Sequence, residues 1–182
     1  MQRRDALRYL GAAALAPLAA RLSAEERWQL GLSLHRRIEG TAQAGAALSS
    51  TQMAEVRALA DTILPRTDTP GAVDVGAPAF FDLLLAEWYT DTERTQLIAG
   101  LDALTARCRA VQGRAFAELD DNARKTFVAS LDGRRGEPGT AEAAYARVKE
   151  VIVFAFLTSQ PIAPLLQSMP IIPGRFDGCV PV

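Results

Sequence analysis

Three times in this chain a serine or threonine stands three residues ahead of a glutamate or glutamine, and an apolar stretch with steps of three and four follows. The pairs are Ser23 with Glu26, Ser49 with Gln52 and Thr90 with Glu93. A hydroxyl and a carboxyl or amide at that spacing satisfy the open backbone N–H groups of a helix start reciprocally. Steps of three and four then place the apolar residues on one face. A chain punctuated in this way is committed to helices. Alanine is abundant and β-branched residues rarely cluster outside 151–153, so nothing reads as a strand. The expectation is an all-α protein, a compact helical bundle of about five to six helices with an extended proline-rich C-terminal tail.

Ser23 opens a helix running to about Glu39, with Leu30, Leu34 and Ile38 on one face and Gly40 at its end. The small and polar residues from Thr41 to Ser50 read as a linker. Met53, Val56, Leu59, Ala60 and Ile63 form the apolar face of a second helix, which Pro65 stops. Residues 66–78 are rich in proline, glycine and aspartate and predict an irregular surface loop, long for a compact domain. Pro78 suits the first turn of the next helix, loaded with Phe80, Phe81, Leu84, Leu85 and Trp88. The helix capped by Thr90 presents Leu97, Leu101, Leu104, Cys108 and Val111 and ends at Gly113, and Asp120 or Asp121 caps another carrying Phe127, Val128 and Leu131. A turn-rich connection from Gly133 to Gly139 leads into a helix from Thr140 to Gln160, almost wholly apolar from Val151 to Leu157. From Pro161 onward prolines forbid regular helix, yet Ile162, Leu165, Leu166, Met169, Ile171, Ile172, Phe176 and Val180 keep the tail apolar. Such a tail must lie against a surface.

The first 22 residues follow a different pattern. A basic start is followed by an apolar stretch from Tyr9 to Ala20, closed by Arg21, Glu25 and Glu26. That is the layout of an export signal, too short for the roughly 20 residues of a membrane span. Arg3, Arg4, Leu7 and Arg8 stand where a twin-arginine motif has its two arginines, an apolar residue and a basic one, with Ala6 in place of a bulkier residue. An ordinary amphipathic helix is the competing reading, and the lack of a polar face beyond Arg8 counts against it. Two small-residue sites, Ala14-Leu15-Ala16 before Pro17 and Leu18-Ala19-Ala20, leave the point of cleavage open.

Little in the chain supports catalysis. The single histidine, His35, lies on a helix among basic and apolar neighbours and reads as solvated or half-buried. No nucleophile elbow, phosphate loop or dinucleotide fingerprint is present. Cys108 and Cys179 belong to no metal or haem motif, so no cofactor is expected in this chain. In an oxidising compartment a Cys108 to Cys179 bond, a bond from Cys179 to a partner, and two free thiols all stay open. Asp68, Asp74, Asp82, Glu87 and Asp91 gather around the long loop without the ligand order of a calcium site. The 21 acidic and 20 basic residues nearly cancel, which speaks against nucleic acid as a partner.

Two separated stretches carry a resemblance. Residues 58–72, reading Ala-Leu-Ala-Asp-Thr-Ile-Leu-Pro-Arg-Thr-Asp-Thr-Pro-Gly-Ala, continue through Gly76-Ala77-Pro78, the double phenylalanine and Trp88-Tyr89. The chain ends on Pro173-Gly174-Arg175-Phe176-Asp177-Gly178-Cys179-Val180-Pro181. Together with the leader these resemble the gluconate 2-dehydrogenase subunit 3 family; Thr158-Ser159-Gln160-Pro161 departs from its acidic continuation. The resemblance implies a non-catalytic small subunit beside a large flavoprotein of the glucose-methanol-choline type, with FAD in that partner and haem c in a possible third, cytochrome c subunit. It implies support of assembly and stability, co-export by the Tat translocon, and a periplasmic location, with membrane association only through the complex or an uncleaved signal. The organisation expected is an export signal at 1–22, a helix and linker at 23–50, and a helical subunit domain at 51–182 with a docking tail from 161. The partner interface is expected at Trp88, Tyr89, Ile171, Ile172, Arg175, Phe176, Asp177 and Cys179. The alternatives are a free-standing periplasmic helical binding protein and a sugar-modifying enzyme using the loop aspartates.

Overall fold

The computed structural model describes residues 22–40 and 47–163. Among them are the helices α1 (Ala24–Gly40), α2 (Ser50–Ile63), α3 (Ala77–Glu87), α4 (Asp91–Gln112), α5 (Asp121–Leu131) and α6 (Ala141–Thr158), with a 3-10 turn at Phe116–Glu118 and no strand. The fold is an all-α bundle, as the periodicity requires. Arg3, Arg4, Leu7 and Arg8 of the leader lie outside the described residues. So do Ile171, Ile172, Arg175, Phe176, Asp177 and Cys179 of the tail, and with them any bond from Cys108 to Cys179.

The caps are formed as their residue types dictate. Ser23 and Glu26 exchange hydrogen bonds at the start of α1. Ser49 with Gln52 and Thr90 with Glu93 close full capping boxes at α2 and α4. Asp120, rather than Asp121, caps α5, its carboxylate accepting from the Ala123 N–H at 2.9 Å. Gly113 ends α4.

α6 is the axis of the bundle. It packs most extensively on α4 and also meets α3, α1, α2 and α5. Phe80, Phe81, Phe116 and Phe154 fill the centre with Leu59, Leu84 and Leu104. The Phe80 and Phe154 rings meet edge to face at 5.9 Å, a favoured aromatic geometry. α4 and α6 touch with almost nothing between them at Gly100, where a Cβ would fall 2.8 Å from the Ala144 Cβ and 2.8 Å from the Thr140 carbonyl oxygen.

α1 is tied to this body at several points. Gly31 faces Phe154 and Thr158. His35 is buried, donating from Nε2 to the Ala155 carbonyl at 2.8 Å, with its ring 4.9 Å from that of Phe80. The expected solvated or half-buried histidine is therefore a core residue, because α1 folds back on α6. Arg37 grips Glu87 with two hydrogen bonds of 2.5 and 2.6 Å.

Four further expectations change in detail. The loop over 66–78 is anchored in the core, with Ala72 fully buried and its N–H bonded to the Leu64 carbonyl at 2.9 Å. α3 takes over at Ala77. Val111 is 67% exposed, since the apolar steps of α4 run past the end of the core. α6 ends at Thr158, and turns from 159 carry Ile162 and Ala163 back into buried positions.

Candidate partner-binding cleft

Between Glu87, the last residue of α3, and Thr90, the cap of α4, only Trp88 and Tyr89 make the corner. So short a connection points the two rings in different directions. Trp88 is 40% exposed and does not join the apolar load expected for α3, whereas Tyr89 is 8% exposed. Arg94 holds the corner from beneath, bonding to the Ala86 carbonyl at 3.1 Å and pairing with Asp91.

Tyr89 lines a cleft of about 640 Å³ between the first turns of α4 and the first half of α6, bordered by the loop from Gly133 to Gly139. Leu97 and small residues of α6, Ala143, Ala144 and Ala146, provide apolar lining. Glu93, Gln96, Arg135, Arg147 and Glu150 provide the polar lining. The loop turns at Gly133 and Gly139, with φ of 71° and 89°, a backbone region that side-chain-bearing residues rarely adopt.

Most of these charges are already engaged. Glu93 accepts from the Thr90 N–H at 3.0 Å and from its hydroxyl at 2.8 Å. Arg147 pairs with Glu150 at 2.9 Å. Burial raises the Glu150 carboxyl above its ordinary range, and Arg147 opposes the rise. The Tyr89 hydroxyl is different, being buried without a hydrogen-bond partner among the described residues. Burial pushes its pKa up to about 12, so it stays protonated and able to donate.

The other polar groups that invite a chemical role serve the fold. Asp82 accepts from the N–H groups of Ala47 and Leu48 at 3.1 and 2.9 Å, fixing the approach to α2. Asp74 accepts from the Gly71 N–H and from Arg66, both at 2.8 Å, and so closes the long loop on itself. Glu87 and Asp91 are held by Arg37 and Arg94. Asp68 is exposed, and the other four acids around the loop are spread over separate structural contacts rather than gathered into one site. Cys108 is fully buried on α4, and burial raises its thiol pKa. Among the described residues no group of three or more histidine, cysteine, aspartate or glutamate side chains is placed to hold a metal ion. No described helix is long and apolar enough to cross a membrane.

Glu55 on α2 is almost completely buried, accepting from the Ala117 N–H of the 3-10 turn at 3.1 Å. Burial raises its pKa, with Glu118 adding to the rise and the Ala117 bond, Arg109 and Arg124 opposing it. A carboxyl that titrates higher folded than unfolded contributes stability fully below its unfolded pKa. That contribution is lost as pH rises through the folded value. Glu55→Gln keeps an acceptor for Ala117 and removes the charge. The expected result is a chain more stable than wild type at neutral pH, with the difference vanishing toward acid. Urea unfolding from about pH 4 to pH 8 measures this; a neutral-pH midpoint at or below wild type contradicts it.

Of the expected interface residues within the described range, the structure places Trp88 and Tyr89 together at the corner. Arg135, Gln96 and Glu150 were not visible as its neighbours, because they lie on three different elements and no local pattern links them. Glu93 was legible only as a cap. A family model described as gluconate 2-dehydrogenase subunit 3 matches residues 50–174. No curated protein and no solved structure matches the chain.

Proposed function

The chain belongs to the gluconate 2-dehydrogenase subunit 3 family, and from that premise we propose that it stabilises a large FAD-bearing subunit and carries it by the Tat pathway into the periplasm. It is a non-catalytic accessory subunit of an oxidoreductase complex, associated with a larger flavoprotein. The observation that carries the reading is the family match over residues 50–174, which takes in five whole helices, α2 to α6.

In this reading the flavoprotein is of the glucose-methanol-choline type and oxidises gluconate or another sugar. Electrons pass to a cytochrome c subunit carrying haem c. Residues 1–22 provide the export signal, 23–50 a helix and linker, and 51–182 the subunit domain. Ile171, Ile172, Arg175, Phe176, Asp177 and Cys179 of the tail from 161 join Trp88 and Tyr89 in gripping the flavoprotein. Support for the corner comes from its composition and exposure, since an exposed tryptophan beside a buried tyrosine has the character of an interface anchor.

Removing this chain from cells that make the flavoprotein provides the test. The expected outcome is loss of most flavin-linked sugar dehydrogenase activity from the periplasm, restored when the chain is supplied from a plasmid. Undiminished periplasmic activity without the chain refutes the reading.

A further inference from the structure

Once the bonds the chain makes to itself are subtracted, the cleft between α4 and α6 retains the exposed Gln96 amide and two further unmatched donors. One is the buried Tyr89 hydroxyl. The other is Arg135, exposed on the loop and without a hydrogen-bond or ion-pair partner among the described residues. Both residues line the same cleft, the hydroxyl itself shielded at its wall. An unpaired buried hydroxyl is costly, and a guanidinium is the side chain best shaped to hold a carboxylate.

We infer that this cleft receives an aspartate or glutamate side chain of the large flavin subunit, whose carboxylate accepts hydrogen bonds from the Tyr89 hydroxyl and the Arg135 guanidinium. The inference rests on the function proposed above and gives that interface its chemistry. The other cleft charges favour a single negative charge over a dianion such as phosphate. Glu93 and Glu150 also line the cleft, held by the Thr90 N–H and by Arg147, and a dianion meets twice the repulsion from them that a single carboxylate does. Leu97 and the alanines of α6 accommodate the methylene stem of the incoming side chain. The volume, about 640 Å³, admits neighbouring residues of the same segment. Reaching the shielded hydroxyl takes a rotamer change in the long side chains of the cleft wall, of the kind common when protein interfaces form.

The test uses the full chain and the flavin subunit, purified separately and titrated together, with Tyr89→Phe, Arg135→Ala and the double variant beside wild type. Tyr89→Phe removes a hydroxyl that bonds to none of the described residues, so its thermal midpoint is expected to hold or rise while affinity falls about tenfold. Arg135→Ala, on an exposed loop, is expected to weaken binding similarly without lowering the midpoint. A double variant that binds as tightly as wild type overturns the inference and leaves the proposed function standing. No binding by wild type overturns both. A lower midpoint of free Tyr89→Phe that accounts for the lost affinity assigns the hydroxyl to folding and overturns the inference. So does self-association of this chain that the variants abolish while capture of the flavin subunit is unchanged.

Discussion

Replacing Arg3 and Arg4 with lysine is expected to leave the large flavin subunit in the cytoplasm, bound to a small subunit that folds as before. Lysine keeps both positive charges, so any export that depended on charge alone would continue. What lysine lacks is the planar fork of guanidinium donors, and exchange of the two residues is not conservative where that geometry is read. The described helices begin at Ala24 and are untouched. The variant therefore separates address from assembly, which complete removal of the chain does not. Flavin absorbance and sugar dehydrogenase activity in fractionated cells give the readout. The expected loss from the periplasm is nearly total, with the two subunits still co-purifying from the cytoplasm. A flavoprotein that reaches the periplasm in full amount contradicts the claim that this leader acts on behalf of its partner.

Gly100→Leu is expected to have the largest effect on the fold itself. The first added carbon already falls 2.8 Å from both the Ala144 Cβ and the Thr140 carbonyl oxygen, and the latter belongs to the cap of α6. Neither neighbour is the free end of a flexible side chain. The helices must part, and α4 on α6 is the most extensive contact in the bundle. Leu97, Leu101 and Leu104 share one core with Val148, Val151 and Ile152, so separation also loosens their packing. Leucine gains up to about 1 kcal/mol of helix propensity over glycine, which is smaller than the penalty. A net loss of about 3 kcal/mol or more follows from overpacking at a closed helix contact. A thermal midpoint lower by about 6–12 °C or more is the expected reading. A midpoint within a few degrees of wild type means that the two helices have room to move apart at low cost.

Local chemistry made much of this fold legible. Ser49 with Gln52 and Thr90 with Glu93 set the starts of α2 and α4, and Gly113 ends α4. Each of these signals acts within a turn of its own position, so the sequence displays it directly. The failures share a different cause. His35 is buried because a residue 120 positions away supplies its acceptor. Glu55 is buried because the 3-10 turn, not anticipated from periodicity, brings the Ala117 N–H to it across 62 positions. Val111 follows the helical steps of the core face but lies beyond the core's edge. Trp88 and Tyr89 were legible as an aromatic pair, whereas the cleft beside them needed α4, α6 and the loop at Arg135 to meet in space.

The near-contact of backbones at Gly100 also bears on how the cleft behaves as a receptor. Both of its walls belong to helices held at one fixed separation, so it cannot widen by letting α4 slide away from α6. Its gauge is set before a partner arrives. Adaptation falls to side-chain rotation and to the loop from Gly133 to Gly139, which crosses the rim on two glycine pivots. A receptor of that kind loses little freedom of its own on binding, and most of the ordering entropy is borne by the segment that enters. Stiffening that incoming segment therefore offers a more direct route to tighter association than any enlargement of the slot.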